Sequence, residues 1–191
     1  MIKRAVTRLV SAQIRLGTIQ ESNRKVYEYG YQLMIEAFIN VVISLLLGAV
    51  LGCFKEVVFF LIVFMPLRSF CGGYHAAKTW QCTVLSNLVV LLVIVVSKVS
   101  LLAGIITPVY ILGDIVIGGM IVLFAPVDNE NRRLGEKERR RYKMTASVIM
   151  SVEALLCIIL CVSSFRTYSD IILTSHTIQL CSLLISTRET E

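Results

Sequence analysis

Long apolar runs broken by short polar gaps organise this chain of 191 residues. The first run covers residues 31–52 and is centred on Phe38-Ile39-Asn40-Val41-Val42-Ile43-Ser44-Leu45-Leu46-Leu47. The second, Val57 to Leu67, is short. At 1.5 Å per residue it covers about half of a ~30 Å hydrocarbon core, so either Phe54-Lys55-Glu56 extends it or it enters the bilayer only partway. Residues 83–103 and 105–125 form a third and a fourth run, parted by Gly104 and bounded by Pro126. Residues 144–165 form a fifth, and Ile171 to Ser186 a shorter sixth. Backbone groups in lipid must pair internally and no alternating barrel pattern occurs, so each run is expected to be helical. Ahead of them, Ile2, Val6, Leu9, Val10 and Ile14 recur at helical spacing, with Lys3, Arg4, Arg8 and Arg15 at other positions. This pattern predicts a basic amphipathic helix at the membrane surface within residues 1–30. The expected fold is an all-α polytopic membrane protein forming one domain over residues 1–191. It has about six hydrophobic helices, two of them short, preceded by the amphipathic one.

Composition places lipid as the solvent. The chain is 56% hydrophobic and only 17% charged, with a mean hydropathy of +0.76, outside the usual soluble range. A net charge of +6 raises nucleic acid as a partner. The basic residues, however, lie in the gaps between apolar runs, which suits lipid headgroups and topology, so nucleic acid is not expected. Lys3, Arg4, Arg8, Arg15, Arg24 and Lys25 precede the first run. Arg132, Arg133, Lys137, Arg139, Arg140, Arg141 and Lys143 follow the fourth. With both groups inside and six crossings, both chain ends and the segment 68–82 face the cytoplasm of a multi-pass cell-membrane protein. Lys98, inside the third run, is expected to snorkel outward.

One stretch gathers a potential nucleophile, a base, a fixed cation and a glycine pair: Arg68-Ser69-Phe70-Cys71-Gly72-Gly73-Tyr74-His75-Ala76-Ala77-Lys78-Thr79-Trp80-Gln81-Cys82. A base beside a thiol can generate a thiolate near neutral pH, and a thiolate can attack a peptide bond. On one straight helix, His75 and Cys82 would stand about 10.5 Å apart along the axis, too far for proton transfer. The chain must therefore bend near His75, and Gly72-Gly73 supplies the freedom. No acid lies nearby to orient the histidine, so a dyad is expected rather than a triad. Arg68 is placed to bind a carboxylate or to stabilise developing negative charge. On spacing alone Cys71 is a rival nucleophile, four residues before His75. The six cysteines form no CxxC pair and only two histidines exist, so no metal site and no cofactor are expected.

Arg68, Gly72-Gly73, Tyr74-His75-Ala76 and Cys82 together resemble the motif of the AgrB (accessory gene regulator B) family. Tyr27-Glu28-Tyr29-Gly30 and Ala125-Pro126-Val127-Asp128-Asn129-Glu130-Asn131 extend the likeness, as do length and hydrophobic profile. The resemblance implies a membrane cysteine endopeptidase acting on a quorum-sensing propeptide, AgrD. Such an enzyme removes the C-terminal part of the precursor and holds the remainder as an acyl-enzyme thioester. An internal cysteine or serine of the precursor then closes a cyclic thiolactone or lactone. Carried over by position, Cys82 is the nucleophile and His75 the base, with Arg68, Gly72 and Gly73 in support. An AgrD-like precursor, the lipid bilayer and a second copy in a homodimer are the expected partners. Arg139-Arg140-Arg141 is either a topology anchor or the grip for the precursor's acidic tail. The rival class is a small transporter or channel subunit in which Cys82 is incidental.

Ionisable groups inside spans are costly and often functional. Glu36, Asp114 and Glu153 are therefore expected to pair between helices, to line a wet cavity or to serve transport, and Gly118-Gly119 to allow a close helix contact. His176 reads as a hydrogen-bonded packing residue alone in the last run. Cys157 and Cys161, four apart, read as small apolar packing residues. Trp80 and Tyr74 fit interfacial anchors.

Overall fold

The computed structural model describes residues 2–74, 79–99, 107–127 and 135–189, and for Ile2, Thr79, Arg188 and Glu189 the backbone only. Among the described residues there are seven α-helices and no strand: α1 Ile2–Arg15, α2 Arg24–Val50, α3 Phe54–Cys71, α4 Thr79–Val99, α5 Thr107–Phe124, α6 Glu136–Cys161 and α7 Arg166–Glu189. Four helical stretches among them are long and apolar enough to cross a membrane: Glu21–Val50, Trp80–Val99, Thr107–Phe124 and Glu136–Cys161. The fold is thus the expected helical one, an amphipathic helix followed by six others.

The chain divides into two compact units, Met1–Ser44 and Leu45–Glu191. In the first, α1 buries Val6 and Val10 and leaves Lys3, Arg4, Arg8 and Arg15 exposed, as its periodicity predicts. Leu9 departs from that pattern and is exposed. Gln13 donates to the Tyr31 hydroxyl at 2.9 Å, and Arg24 to the Ser11 hydroxyl at 2.9 Å, fastening α1 to the start of α2.

The second unit is a bundle of α3 to α7 in which α7 touches all four of the others. Two runs that looked short are longer as helices. Val57 to Leu67 lies inside an 18-residue α3 that continues through Pro66, about 27 Å at 1.5 Å per residue. Ile171 to Ser186 lies inside a 24-residue α7. Polar ends hid the extra turns, because Arg166, Thr167, Ser169 and Asp170 interrupt hydropathy without interrupting the helix. Likewise α6 begins at Glu136, so Arg139–Lys143, expected in a polar link, occupies helical turns. Glu136 and Glu138 in the first turn suit the positive end of the helix dipole.

The amphipathicity of the bundle is inverted. On α6 the exposed stripe is Val148, Val152, Leu155 and Ile159, while Glu153 lies on the buried stripe with Met150, Cys157 and Cys161. On α5, Leu112, Val116 and Leu123 face out and Asp114 is buried. Apolar surface facing outward suits lipid, and the polar groups must then find partners inside. They do so around His176. Its Nδ1 lies 2.8 Å from Asp114 Oδ1 and its Nε2 lies 3.1 Å from Glu153 Oε2, with all three residues buried. The expected interhelical pairing of Asp114 and Glu153 holds. His176, however, is the shared partner of both rather than a residue on its own. A doubly protonated ring satisfies both contacts, and a neutral ring needs one carboxyl proton to do so.

Apolar clusters flank this cross-link on both sides. Val57, Phe60, Val90, Val93, Ile94 and Ile171 join α3, α4 and α7. Leu67, Cys71, Ile121, Met150 and Leu183 join α3, α5, α6 and α7. Gly118 lets Met150 approach α5, since an added Cβ would stand 2.8 Å from the Met150 methyl, whereas Gly119 faces open space. Cys157 and Cys161 are buried packing residues, and the Cys157 thiol also lies 3.3 Å from the Ser169 hydroxyl. The Lys98 ammonium donates to the Leu51 carbonyl at 2.8 Å, closing the α2–α3 turn from the far end of α4.

Truncating the cross-link tests its role. His176→Ala leaves two carboxyl groups buried without their common partner, and loss of one member of a buried ionic pair typically costs about 3–5 kcal/mol. The variant is expected to unfold well below the wild type in detergent, whereas Val152→Ala on the outer stripe should leave the transition unchanged. Thermal unfolding in micelles, followed by circular dichroism, checks both.

Candidate functional site

The last turn of α3 ends in a built corner. Gly72 (φ +72°) and Gly73 (φ +129°) both occupy backbone conformations that favour glycine. Space reinforces the demand. A Cβ on Gly72 would stand 2.7 Å from the Val127 carbonyl oxygen, and one on Gly73 would collide with the Arg68 guanidinium and the Ser182 hydroxyl. The predicted bend at this pair is therefore present.

Arg68 sits at the centre of the corner. Its Nη1 donates to the Gly72 carbonyl at 3.0 Å and to the Ser182 hydroxyl, and its Nη2 donates to the Tyr74 carbonyl. Ser182, on α7, also takes the Tyr74 N–H, on its hydroxyl at 3.0 Å and on its backbone carbonyl at 3.1 Å. Gln179, one turn earlier on α7, donates from Nε2 to the Gly72 carbonyl at 2.8 Å. Val127 N–H donates to the Cys71 carbonyl at 3.1 Å, which ties in the segment after α5. Three parts of the chain thus hold the backbone of residues 71–74.

Cys82 lies in the first turn of α4, partly exposed. The Arg68 guanidinium is within electrostatic reach of both the Cys82 and the Cys71 thiols. The two cysteines differ in access. Cys71 has no exposed surface and packs among Leu67, Ile121, Ala125, Ala146, Met150 and Leu183, so no peptide can approach it. His75, and with it the expected approach of His75 to Cys82, lies outside the described residues. Trp80, two residues before Cys82 on α4, is largely exposed. Arg139, Arg140 and Arg141 are exposed on the opening turns of α6. Tyr142 meets Phe70 edge-on with ring centroids 5.4 Å apart, which places this basic stretch beside the last turn of α3.

The structure gathers Arg68, Gly72 and Gly73 in one corner, with Cys82 in the first turn of the next helix, and adds to the corner Ser182 and Gln179, which sequence reasoning missed. Their signal was the recurrence of Ser175, His176, Gln179 and Ser182 at helical spacing within the last apolar run. A polar stripe on a helix expected in lipid has to be buried against something.

A membrane-helix bundle carrying a partly exposed thiol beside an arginine-braced glycine corner defines a restricted class of protein, and sequence comparison identifies it. The family model for accessory gene regulator B, AgrB, matches residues 2–183, and the chain belongs to that family. The family is that of the agr quorum-sensing system and is linked with processing of the AgrD precursor. The chain is similar to AgrB-like protein 2 of Clostridium perfringens (strain 13 / Type A), 28% identical over 153 residues, covering 77% of this chain and 72% of the relative. It is also similar to an AgrB-like protein of C. perfringens (strain SM101 / Type A), 26% identical over 153 residues with the same coverage. No solved structure matches the chain.

The corner yields a prediction independent of activity. Gly73→Ala should release the corner and expose the Tyr74 amide to exchange, whereas Gly119→Ala, in open space, should not. Hydrogen–deuterium exchange of the peptide spanning Tyr74 reads the difference.

Proposed function

We propose that the chain is a membrane cysteine endopeptidase that cleaves an AgrD-like propeptide and cyclises it through an acyl-enzyme on Cys82. The observation that carries this reading is the placement of Cys82 in the first turn of a helix, accessible, and within reach of a fixed guanidinium. Helix N-termini and neighbouring cations both favour a thiolate over a thiol. The rival Cys71 lies sealed in an apolar cluster.

In the proposed reaction His75 takes the Cys82 thiol proton, and the thiolate attacks the scissile carbonyl carbon. The tetrahedral adduct collapses with loss of the C–N bond, and His75 returns the proton to the departing amine. The C-terminal fragment leaves and the N-terminal part stays as a thioester. An internal thiol or hydroxyl of the precursor then attacks that thioester, its proton passing to His75, and Cys82 departs as thiolate. Exchange onto a second thiol keeps the activation of the acyl group and needs no ATP. A site recessed at a membrane face would keep water from the intermediate. Arg68 and the two glycines shape the corner that leads to His75.

The same reading gives the protein six crossings, with both ends and the catalytic segment cytoplasmic, and allows it to act as a homodimer. Arg139, Arg140 and Arg141, exposed beside the last turn of α3, hold the acidic tail of the substrate.

Two measurements test the proposal. In proteoliposomes supplied with a synthetic AgrD-like precursor, Cys82→Ser should form no thioester, since a hydroxyl is a far weaker nucleophile at neutral pH. Cys71→Ser should keep most activity. His75→Ala should retain a residue of activity that rises with pH towards the ordinary thiol pKa of about 8.5. An adduct mapped by mass spectrometry to Cys71, or cyclisation by Cys82→Ser, overturns the assignment. Separately, replacing Arg139, Arg140 and Arg141 by Gln should raise KM several-fold at low salt, with the effect shrinking as salt rises. An unchanged KM with normal insertion would leave these residues as topology anchors.

A further inference from the structure

The proposed reaction needs His75 held against Cys82, yet the glycines that allow the bend cannot themselves hold it. Gly72 and Gly73 have no side chains and the greatest backbone freedom of any residue. Something outside the segment has to remove that freedom, and the hydrogen bonds around the corner identify it.

We propose that Ser182 and Gln179 of α7 are positioning residues of the peptidase reaction, fixing the 72–74 backbone that leads into His75 and the Arg68 guanidinium. This inference rests on the Cys82–His75 reading. Ser182 holds the Tyr74 amide and the Arg68 guanidinium at one hydroxyl. It takes the Tyr74 N–H at 3.0 Å and a proton of Arg68 Nη1. Tyr74 is the residue that immediately precedes His75 in the chain. Arg68 in turn lies within electrostatic reach of Cys82. Gln179 adds a second hold by donating to the Gly72 carbonyl at 2.8 Å, an oxygen that Arg68 also occupies. The side chain of Gln179 has no exposed surface, so its bond to the turn is made out of water, where a lost donor is not replaced.

Neither residue belongs to the segment 68–82, and both project from the helix that also carries the His176 cross-link. Gln179 stands one turn from His176 and Ser182 almost another turn on, so the cross-link sets the height at which they meet the corner. Helix α7 thereby shares in the site without any contact with reacting atoms.

The test reads the ionisation of Cys82 without substrate. The full chain in proteoliposomes is treated with iodoacetamide across pH, and alkylation of Cys82 is followed by peptide mapping, which separates it from the exposed Cys181. His75→Ala should slow alkylation at pH 7 by about ten-fold and move the profile toward an ordinary thiol. Ser182→Ala should move it in the same direction, Ser182→Thr should restore it, and Gln179→Met should give a smaller shift. Ser182→Ala added to His75→Ala should have a smaller effect than in the wild type, because only its hold on Arg68 is then left to lose. A profile that His75→Ala does not move overturns the dyad itself. A profile moved by His75→Ala but by neither Ser182→Ala nor Gln179→Met overturns the positioning role alone. Should Ser182→Ala fail to insert, the Gln179→Met profile alone decides between these outcomes.

Discussion

An imidazole with a carboxyl group on each side joins α5, α6 and α7 through Asp114, His176 and Glu153. In a medium of low dielectric constant each of these groups is costly by itself, and each becomes tolerable only in company. That constraint explains why α7, the least apolar of the later helices apart from α6 with its charged start, lies at the centre of the bundle, while helices with apolar outer flanks surround it. It also fixes the register. Once His176 is seated between the two carboxyl groups, a residue three positions on faces Gly72 and one six positions on faces Tyr74.

The corner after α3 shows how a flexible sequence becomes a defined geometry. Glycine is required twice, by backbone sign and by the closeness of Val127, Arg68 and Ser182. The rigidity that glycine lacks is then supplied by polar atoms of Arg68, Gln179 and Ser182. Arg68 therefore braces its own backbone, whatever it also does for Cys82 in the proposed reaction. A lysine could keep the charge but could not reach the Gly72 and Tyr74 carbonyls from one planar fork.

Much of this was legible in the chain. Apolar runs gave the helices because lipid leaves the backbone no other way to pair, and the glycine pair gave the bend because few other residues reach a positive φ. Cys82 stood out by its neighbours Arg68, Gly72 and Gly73, and burial then separates it from Cys71. What stayed hidden depended on long-range pairing. Asp114, Glu153 and His176 are separated by tens of residues, and nothing local says that they meet. The length of α7 was masked because hydropathy measures affinity for lipid, and this helix is shielded from lipid by its neighbours. Ser182 and Gln179 were passed over because their partners, Arg68, Gly72 and Tyr74, lie more than a hundred residues away in the chain.

The order of the helices along the chain carries a consequence for how the molecule is made. Helix α7 leaves the ribosome after all its partners, yet it brings the histidine that partners two buried acids and the hydroxyl that braces the corner. Until then, Asp114 and Glu153 sit in half-built helices without their counterpart, and the 71–74 turn lacks two of its anchors. A nascent chain stalled before α7 would carry two buried acids without their shared partner and a corner without its braces. The balance of the buried charges and the shape of the corner thus wait on the same helix.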